Sequence, residues 1–249
     1  MYAMILAAGR GERMRPLSDH TPKPLLPVAG KPLIVWHLER LARAGCRRVV
    51  INHAHLGAQI EQALGSGAQW DMHIRYSPEP PGALETAGGI AQALHAGLLP
   101  ATAPFLLING DIYCDWQLAS AQHCPQADAV ASGVSLAHLV LVANPAQHPQ
   151  GDFALSDEPR LEQPPMFALR NDPAAGRMLT YSGIGIYHPH LFHGLAAQQP
   201  AKLAPLLRQA ADAGQLSGEF HSGRWQDVGT PQRLAALNNA LADQQTDST

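Results

Sequence analysis

Tyr2-Ala-Met-Ile-Leu-Ala-Ala-Gly-Arg-Gly-Glu-Arg-Met-Arg-Pro-Leu17 is the stretch on which the fold turns. Its first residues, Tyr2–Ala7, form a short apolar run that reads as a buried strand and meets a glycine-rich loop at once. In an open parallel sheet, ligands bind beyond the carboxyl ends of the strands, which makes this loop a candidate wall of a site. Small residues with Gly9 and Gly11 let the main chain come close to a ligand, so that N–H groups can meet phosphate oxygens; Arg13 and Arg15 add charge. Two familiar phosphate loops are excluded. A dinucleotide fingerprint needs glycine where Met14 stands, and a Walker A loop needs Ser or Thr after Gly30-Lys31 and a glycine five residues before it.

Outward from this stretch, apolar and polar residues alternate in a recognisable order. Lys31–Gly45 places Ile34, Leu38, Leu41 and Ala42 on one helical face, with Pro32 near its start and Gly45 just past its end. Arg48–Asn52 reads as a second strand, Leu56–Leu64 as a helix stopped by Gly65, and His73–Tyr76 as a third strand. Pro78–Gly82 reads as a loop, Thr86–Leu98 as a helix and Phe105–Asn109 as a fourth strand. Strands alternating with helices predict βαβ units and a mainly parallel sheet. After Asp111 the pattern changes. Val134–Val142, Asp152–Leu155, Met178–Tyr187 and Gly218–Val228 read as strands without a helix between each pair, an antiparallel or mixed extension. Lys202–Ala213 and Pro231–Gln244 read as helices, and Gln245–Thr249 as a polar tail. No repeat or low-complexity linker divides the chain, so one continuous α/β domain is expected.

Composition bounds the function. Of 249 residues, 46% are hydrophobic and only 15% charged, which excludes a disordered chain and an ion-pair-rich surface. The net charge of −3 excludes a bulk basic binder of nucleic-acid polymers. Its distribution says more. Residues 1–48 hold nine basic and three acidic residues, net +6, and the rest of the chain is net −9. Arg40, Arg43, Arg47 and Arg48 read as a solvated helix face. Arg10, Arg13, Arg15, Lys23 and Lys31 lie in or beside Gly/Pro-rich loops and point to a local anion site. Cys46, Cys114 and Cys124 show no CxxC spacing, against a disulfide framework or zinc ribbon and in keeping with a reducing compartment. His53-Ala-His55 and His188-Pro-His190 with His193 are the close histidine sets; without HExxH, zinc is the weaker reading. Met1–Ala8 lacks a signal peptide's basic flank, and Ala129–Ala143 is broken by Ser132, Gly133, Ser135 and His138. A soluble cytoplasmic protein with no membrane partner is expected.

Beyond the glycine-rich loop and the Pro-Lys-Pro that follows it, two more loops fall where a ligand would lie. Lys23 stands between Pro22 and Pro24, either as a point charge held for a phosphate or as an exposed lysine in a Pro-rich turn. Leu84-Glu-Thr-Ala-Gly-Gly-Ile90 enters a helix with Thr86 as the expected N-cap, and Gly88 and Gly89 would let it lie against a flat base. Asn109-Gly-Asp111 ends an apolar strand and sets a carboxylate at the sheet's ligand edge. That suits Mg²⁺, bound by one or two carboxylates plus substrate phosphates, although an aspartate in a turn is the plainer reading. Asp227, before Gly229-Thr230-Pro231, offers the second acid, with Thr230 capping the following helix.

Taken in order, Leu6–Ser18, Thr21-Pro-Lys-Pro-Leu-Leu-Pro-Val-Ala-Gly-Lys-Pro-Leu33, Leu84–Gly89, Asn109-Gly-Asp111 and Trp225-Gln-Asp-Val-Gly-Thr-Pro231 resemble the sugar-1-phosphate nucleotidyltransferases over nearly the whole chain. Val50–Leu56, Ile74–Glu79, His138–Pro145, His148–Phe153 and Thr180–Ile184 are similar to the subgroup that activates N-acetylmuramate 1-phosphate with UTP in cell-wall recycling. The family departs from this chain at Ala87, where the subgroup has glycine, at Ala143, where it has aspartate, and over residues 156–177. The resemblance implies a Rossmann-like three-layer domain of the GT-A-like, nucleotide-diphospho-sugar transferase type. Residues 1–115 would form a nucleotide-binding half and 116–244 a sugar-phosphate-binding half.

Residue by residue, the resemblance implies that Leu6, Ala7, Ala8, Gly9, Gly11, Glu85, Thr86, Gly88 and Asn109 hold the nucleotide. Arg13 would neutralise the β- and γ-phosphates, and Lys23 would sit between the sugar phosphate and the α-phosphate. Asp111 and Asp227 would bind Mg²⁺; Gly151, Tyr181, Ser182 and Gly183 would contact the sugar. UTP and an amino-sugar 1-phosphate are the expected substrates, and a monomer or weak homo-oligomer the expected state. Mannose-1-phosphate guanylyltransferases share the core motifs, and a catalytically silent nucleotide-sugar sensor is the third reading. Such a sensor would be expected to lose Arg13, Lys23, Asp111 or Asp227, all of which are present.

Overall fold

The computed structural model describes residues 1–80, 84–118, 124–162 and 165–246, and the side chains of these except 159–162, 165 and 244–246. Pro81 and Gly82 of the expected loop and residues 247–249 of the expected tail lie outside the described residues. In chain order the elements are β1 (Tyr2–Leu6), β2 (Pro27–Val28), β3 (Lys31–Pro32), α1 (Leu33–Arg43), β4 (Arg48–His53), α2 (Gly57–Leu64), β5 (His73–Pro78), α3 (Glu85–His95), β6 (Phe105–Asn109) and β7 (Ile112–Cys114). There follow α4 (Pro125–Ala131), β8 (Ala137–Val142), β9 (Phe153–Glu162), β10 (Pro165–Arg170), β11 (Arg177–Tyr187), α5 (Leu203–Asp212), β12 (Leu216–Phe220), β13 (Trp225–Asp227) and α6 (Pro231–Thr246).

The main sheet runs β5-β4-β1-β6-β11-β8-β12-β10-β9. Its first four strands are parallel, as the alternating pattern predicts. β11 then pairs antiparallel with β6, opposing Ile184 to Ile108, and carries the mixed extension. β1 lies between β4 and β6, so the strand order reverses beside it, and a crevice opens at the carboxyl ends there.

β1 buries both faces, which is why it reads as a continuous apolar run. Ala3 and Ile5 pack with Ile34, Leu38 and Ile60 of α1 and α2. Met4 packs the other way, with Ile90 of α3 and Leu203 and Leu207 of α5. These are the two helical layers of a three-layer α/β domain. A third cluster joins Met14, Val28, Leu33 and Tyr113 to Val228, Leu234, Leu237 and Leu241, tying α6 to the glycine-rich loop.

The structure corrects several expectations. Gly218–Val228 is not one strand. It breaks after β12, and β13 leaves the main sheet to pair with β7. Gly223 lies in the break, where a Cβ would come within 2.4 Å of Asp115 Oδ1, so the turn needs a glycine. Lys31 and Pro32 belong to the β2–β3 hairpin, and α1 starts after them. α6 continues through Gln245 and Thr246 of the expected tail. β7, α4 and β10 are too short or too irregular for periodicity to mark them. Arg40 is not a solvated residue: it donates to the Cys114 carbonyl and lies over the Tyr113 ring at 4.8 Å. No described helix is long and apolar enough to cross a membrane.

Candidate active site

A cleft of about 640 Å³ opens at the carboxyl ends of β1, β4 and β6. Of the residues expected to hold a nucleotide, Leu6, Ala7, Ala8, Gly9, Gly11, Glu85, Thr86 and Asn109 line it, together with Arg13, Lys23 and Asp111. Arg10, Glu12, Pro24, Asn52, Glu79 and Gly229 line it as well. Arg15 does not; it turns away to Asp19 at 2.6 Å.

The loop after β1 is shaped by what it crosses. Gly11 adopts φ 68, and a Cβ there would sit 3.3 Å from the Lys23 Cβ, so both conformation and space call for glycine. Ser18 Oγ donates to the Gly11 carbonyl at 2.7 Å, and Met14 anchors the loop in the third core. A Cβ on Gly9 would meet nothing within 4 Å, so the main chain there lies open.

Lys23 has 8% of its side chain exposed, yet its Nζ reaches Asp111 Oδ2 at 2.7 Å. The lysine is thus held, not a loose surface residue. Asp111 is placed by Gly110, whose N–H donates to the Leu6 carbonyl at 2.8 Å. A Cβ at Gly110 would lie only 2.6 Å from that oxygen, so the strand exit can cross β1 this closely only as glycine. Behind it, buried His37 bonds through Nε2 to the Ile112 carbonyl at 2.9 Å. Burial above all, with Arg40 nearby, depresses the His37 pKa to about 4, so the ring is neutral and donates to that carbonyl.

Asp227 does not line the cleft itself. The β7–β13 ladder brings it opposite Ile112, and Val228 N donates to the Asp111 carbonyl at 2.9 Å. A Cβ on Gly229, at the cleft wall, would meet the Asp227 carboxylate at 3.0 Å and Arg13 Nη2 at 3.2 Å, so these two groups converge there. Arg233 Nη1 holds Asp227 Oδ2 at 2.6 Å. Each aspartate therefore commits Oδ2 to a cation, while Oδ1 has no hydrogen bond among the described residues. Two carboxylates with oxygens to spare are a hard donor set that fits a divalent cation such as Mg²⁺.

A network not expected from the sequence ties the β4 and β5 ends of the cleft to the loop after β1. Asn52 Oδ1 accepts from Ala7 N at 2.8 Å, and its Nδ2 donates to Glu79 Oε1 at 2.6 Å. Glu79 Oε2 accepts from Leu84 N at 3.1 Å. Both side chains are buried. The available signal was an asparagine at the carboxyl end of a buried strand.

The start of α3 differs from expectation. Thr86 is not the N-cap. The helix begins at Glu85, and the N–H groups of Ala87 and Gly88 go to the Ala201 carbonyl at 2.9 and 3.1 Å, which removes the need for a hydroxyl cap. Gly88 and Gly89 do not present a flat surface to a ligand. A Cβ on Gly88 would lie 2.4 Å from the Gln199 carbonyl, and one on Gly89 2.3 Å from Glu79 Oε1, so both glycines serve internal packing. Ala87 is fully buried in the second core, so the methyl that departs from the subgroup points away from the cleft. Glu85 keeps an exposed carboxylate on the cleft wall at φ 58, a backbone region that disfavours side chains.

None of the four expected sugar contacts lines the cleft. Gly151, at φ 69, leaves no room for a Cβ against Asn144 Oδ1 at 2.7 Å. Tyr181 N donates to Asp152 Oδ2 at 2.8 Å, and its hydroxyl accepts from Tyr187 at 2.8 Å; burial raises the Tyr181 pKa. Ser182 is fully buried, and its Oγ accepts from Ile184 N at 3.2 Å. Gly183 falls in a bulge of β11, and a Cβ there would lie 2.7 Å from Asn109 Nδ2, so this residue abuts the cleft wall. Asn144 was not singled out as a site residue, yet it bonds to Pro149 O and Met178 O at 3.1 Å each and to Thr180 Oγ1 at 2.9 Å, setting the loop that carries Gly151 and Asp152.

The nucleotidyl transferase family profile matches residues 2–244. The chain is 53% identical over 234 residues, 94% of its length and 95% of the other's, to an N-acetylmuramate alpha-1-phosphate uridylyltransferase of Neisseria meningitidis. A protein of the same description from Caulobacter vibrioides is 33% identical, covering 97% of each chain. Relatives described as mannose-1-phosphate guanylyltransferases match over comparable spans of this chain at 28% and 26%. Among solved structures, one described as a glucose-1-phosphate thymidylyltransferase from Bacillus anthracis superposes with a TM-score of 0.75 at 20% identity, over 96% of this chain and 95% of that one, and so shares the fold.

Proposed function

This chain belongs to the nucleotidyl transferase family, and on that footing we propose that it moves the uridylyl group of UTP onto N-acetylmuramate 1-phosphate, giving UDP-N-acetylmuramate and pyrophosphate, as a cytoplasmic step of peptidoglycan recycling. The observation that carries the reading is the approach of Lys23 to Asp111, 2.7 Å apart, at a cleft walled by the loop from Leu6 to Arg13. The relative at 53% identity supports the choice of base and sugar.

An oxygen of the sugar phosphate attacks the α-phosphorus of UTP, the bond from that phosphorus to the β-phosphate breaks, and pyrophosphate leaves. The nucleophile is already an anion near neutral pH, so no side chain has to take a proton. The task is to bring two polyanions together, which calls for positioning and charge neutralisation. The main chain of Leu6–Gly9 and Gly11 is assigned to the triphosphate. Lys23 is assigned to the two phosphates that react, and Arg13 to the departing pyrophosphate. Held by Asp111 and Asp227, Mg²⁺ would supply Lewis-acid neutralisation of phosphate charge. Residues 1–115 are read as the nucleotide half and 116–244 as the sugar half, with Gly151, Tyr181, Ser182 and Gly183 assigned to the sugar side.

The test is pyrophosphate release across UTP, GTP, dTTP and CTP against the 1-phosphates of N-acetylmuramate, N-acetylglucosamine, glucose and mannose. Release with UTP and N-acetylmuramate 1-phosphate is expected. Release only with GTP and mannose 1-phosphate would overturn the choice of substrates, and binding without release in every pair would make the protein a sensor.

A further inference from the structure

We propose that Cys114, Asp115 and His221 form a binding site for a thiophilic divalent transition metal of the zinc class, away from the substrate cleft. Among the described residues they are the group of three His, Cys, Asp or Glu side chains whose ligand atoms all lie within 4.8 Å of one another. Sulfur, nitrogen and oxygen together are a zinc-type donor set, in contrast to the all-oxygen pair Asp111 and Asp227. Tetrahedral zinc holds its ligand atoms about 3.3–3.8 Å apart, so no pair has more than about 1–1.5 Å to close.

The local fold brings these donors together. Cys114 ends β7, and Asp115 N donates to the Arg224 carbonyl at 3.0 Å, closing the β7–β13 ribbon. His221 N donates to the Leu141 carbonyl at 2.8 Å just beyond β12. His221 Nε2 and Asp115 Oδ1 share a hydrogen bond at 2.7 Å, and a bound ion would take the place of its proton, which passes to Nδ1 or to the buffer. Gly223 lets both side chains lie against the turn, since a Cβ there would strike Asp115 at 2.4 Å and His221 at 2.6 Å. The Asp115 side chain is 44% exposed and gives the ion an entrance, while the thiol sits buried at the inner end. Thiolate and carboxylate together would offset the charge of the ion. Burial pushes the free thiol up to about 11, so the ion must displace the thiol proton to the buffer. The bound ion would tie the turn between β12 and β13 to the exit of β7, at the other end of the ribbon from Asp111 and Asp227.

The experiment is a Co²⁺ titration of the chelator-stripped protein, followed in the near-ultraviolet for thiolate-to-cobalt charge transfer, with Zn²⁺ as competitor. One band per chain is expected, abolished by Zn²⁺ and by Cys114→Ser. His221→Gln should weaken Co²⁺ at least about tenfold, as loss of a ligand costs no less than loss of its support. Asp111→Asn should leave the band unchanged, because an all-oxygen site gives none. If Cys114→Ser fails to fold, His221→Gln and Asp115→Asn decide the matter, both being nearer the surface. Absence of the band at millimolar Co²⁺, or its persistence in the folded Cys114→Ser or His221→Gln protein at unchanged affinity, would overturn the site.

Discussion

The two sides of this molecule treat their polar groups in opposite ways. Beside β1, the chain from Gly9 to Gly11 crosses the cleft wall with no hydrogen bond from its N–H groups among the described residues, and nothing crowds Gly9. Beside β11, Tyr181, Ser182 and Asp152 bond to their own chain, and the space beside Gly151 and Gly183 is filled by Asn144 and Asn109. Open donors suit phosphate, whose oxygens take hydrogen bonds from any direction without regard to what the phosphate carries. A self-satisfied wall suits recognition by shape, because its polar groups cost nothing when the ligand is absent. On the proposed function, the first side would serve charge and the second fit.

Substitutions can break that contrast. The largest effect is expected on the charge side: Asp111→Asn and Asp227→Asn should each lose about 10²-fold or more in kcat for pyrophosphate release. Near-normal turnover in both would remove them from the reaction. Next comes Gly88→Ala, which forces a methyl against the Gln199 carbonyl and should cost about 1–3 kcal/mol in urea unfolding, with a raised KM for the triphosphate. A stable variant would mean that α3 shifts freely. Asn52→Ala leaves Ala7 N and Glu79 each short of a partner, a loss of about 1–3 kcal/mol. It should raise KM for UTP and not for the sugar phosphate, and Asn144→Ala should do the reverse; equal effects on both substrates would merge the two sides. Arg233→Ala should raise the Mg²⁺ concentration for half-maximal rate about tenfold by freeing Asp227, with partial recovery in Arg233→Lys. Smallest is Ser182→Ala, within about 1 kcal/mol in stability and without effect on KM for the sugar phosphate, because its hydroxyl is turned inward.

The charge side was also the more legible in the sequence, for a physical reason. Gly9, Lys23 and Asp111 are each marked by near neighbours: a strand end, two flanking prolines, a Gly-Asp exit. The parallel strands β1, β4 and β6 show as apolar runs because they are buried on both faces, whereas the edge strand β5 mixes exposed and buried positions. Where partners lie far apart in the chain, reading failed. Thr86 was expected to cap α3, but the oxygen that closes the helix belongs to Ala201. Gly88 and Gly89 carry the glycine signature of close approach, and the sequence does not say that protein, not ligand, is what approaches. Asn52 and Glu79 are 27 positions apart and meet only once β4 and β5 are aligned. Arg40 looked like its neighbours Arg43 and Arg47 until Tyr113 and Cys114 came to lie under it.

The closure of α3 by residue 201 has an evolutionary consequence. The polar groups that the segment Gln199–Ala201 brings to this wall are main-chain atoms: the carbonyl of Gln199, packed beside Gly88, and both the carbonyl and the N–H of Ala201, the last donating to the Leu84 carbonyl at 3.0 Å. The side chains of Gln199 and Pro200 are exposed and these bonds do not depend on them, whereas Ala201 also packs against the second core. Chain length is not free, because one inserted or deleted residue would move all three groups out of register with the helix start. Across relatives, this short surface segment should vary in letters and hold constant in spacing, an inversion of the usual habit of loops to tolerate insertions.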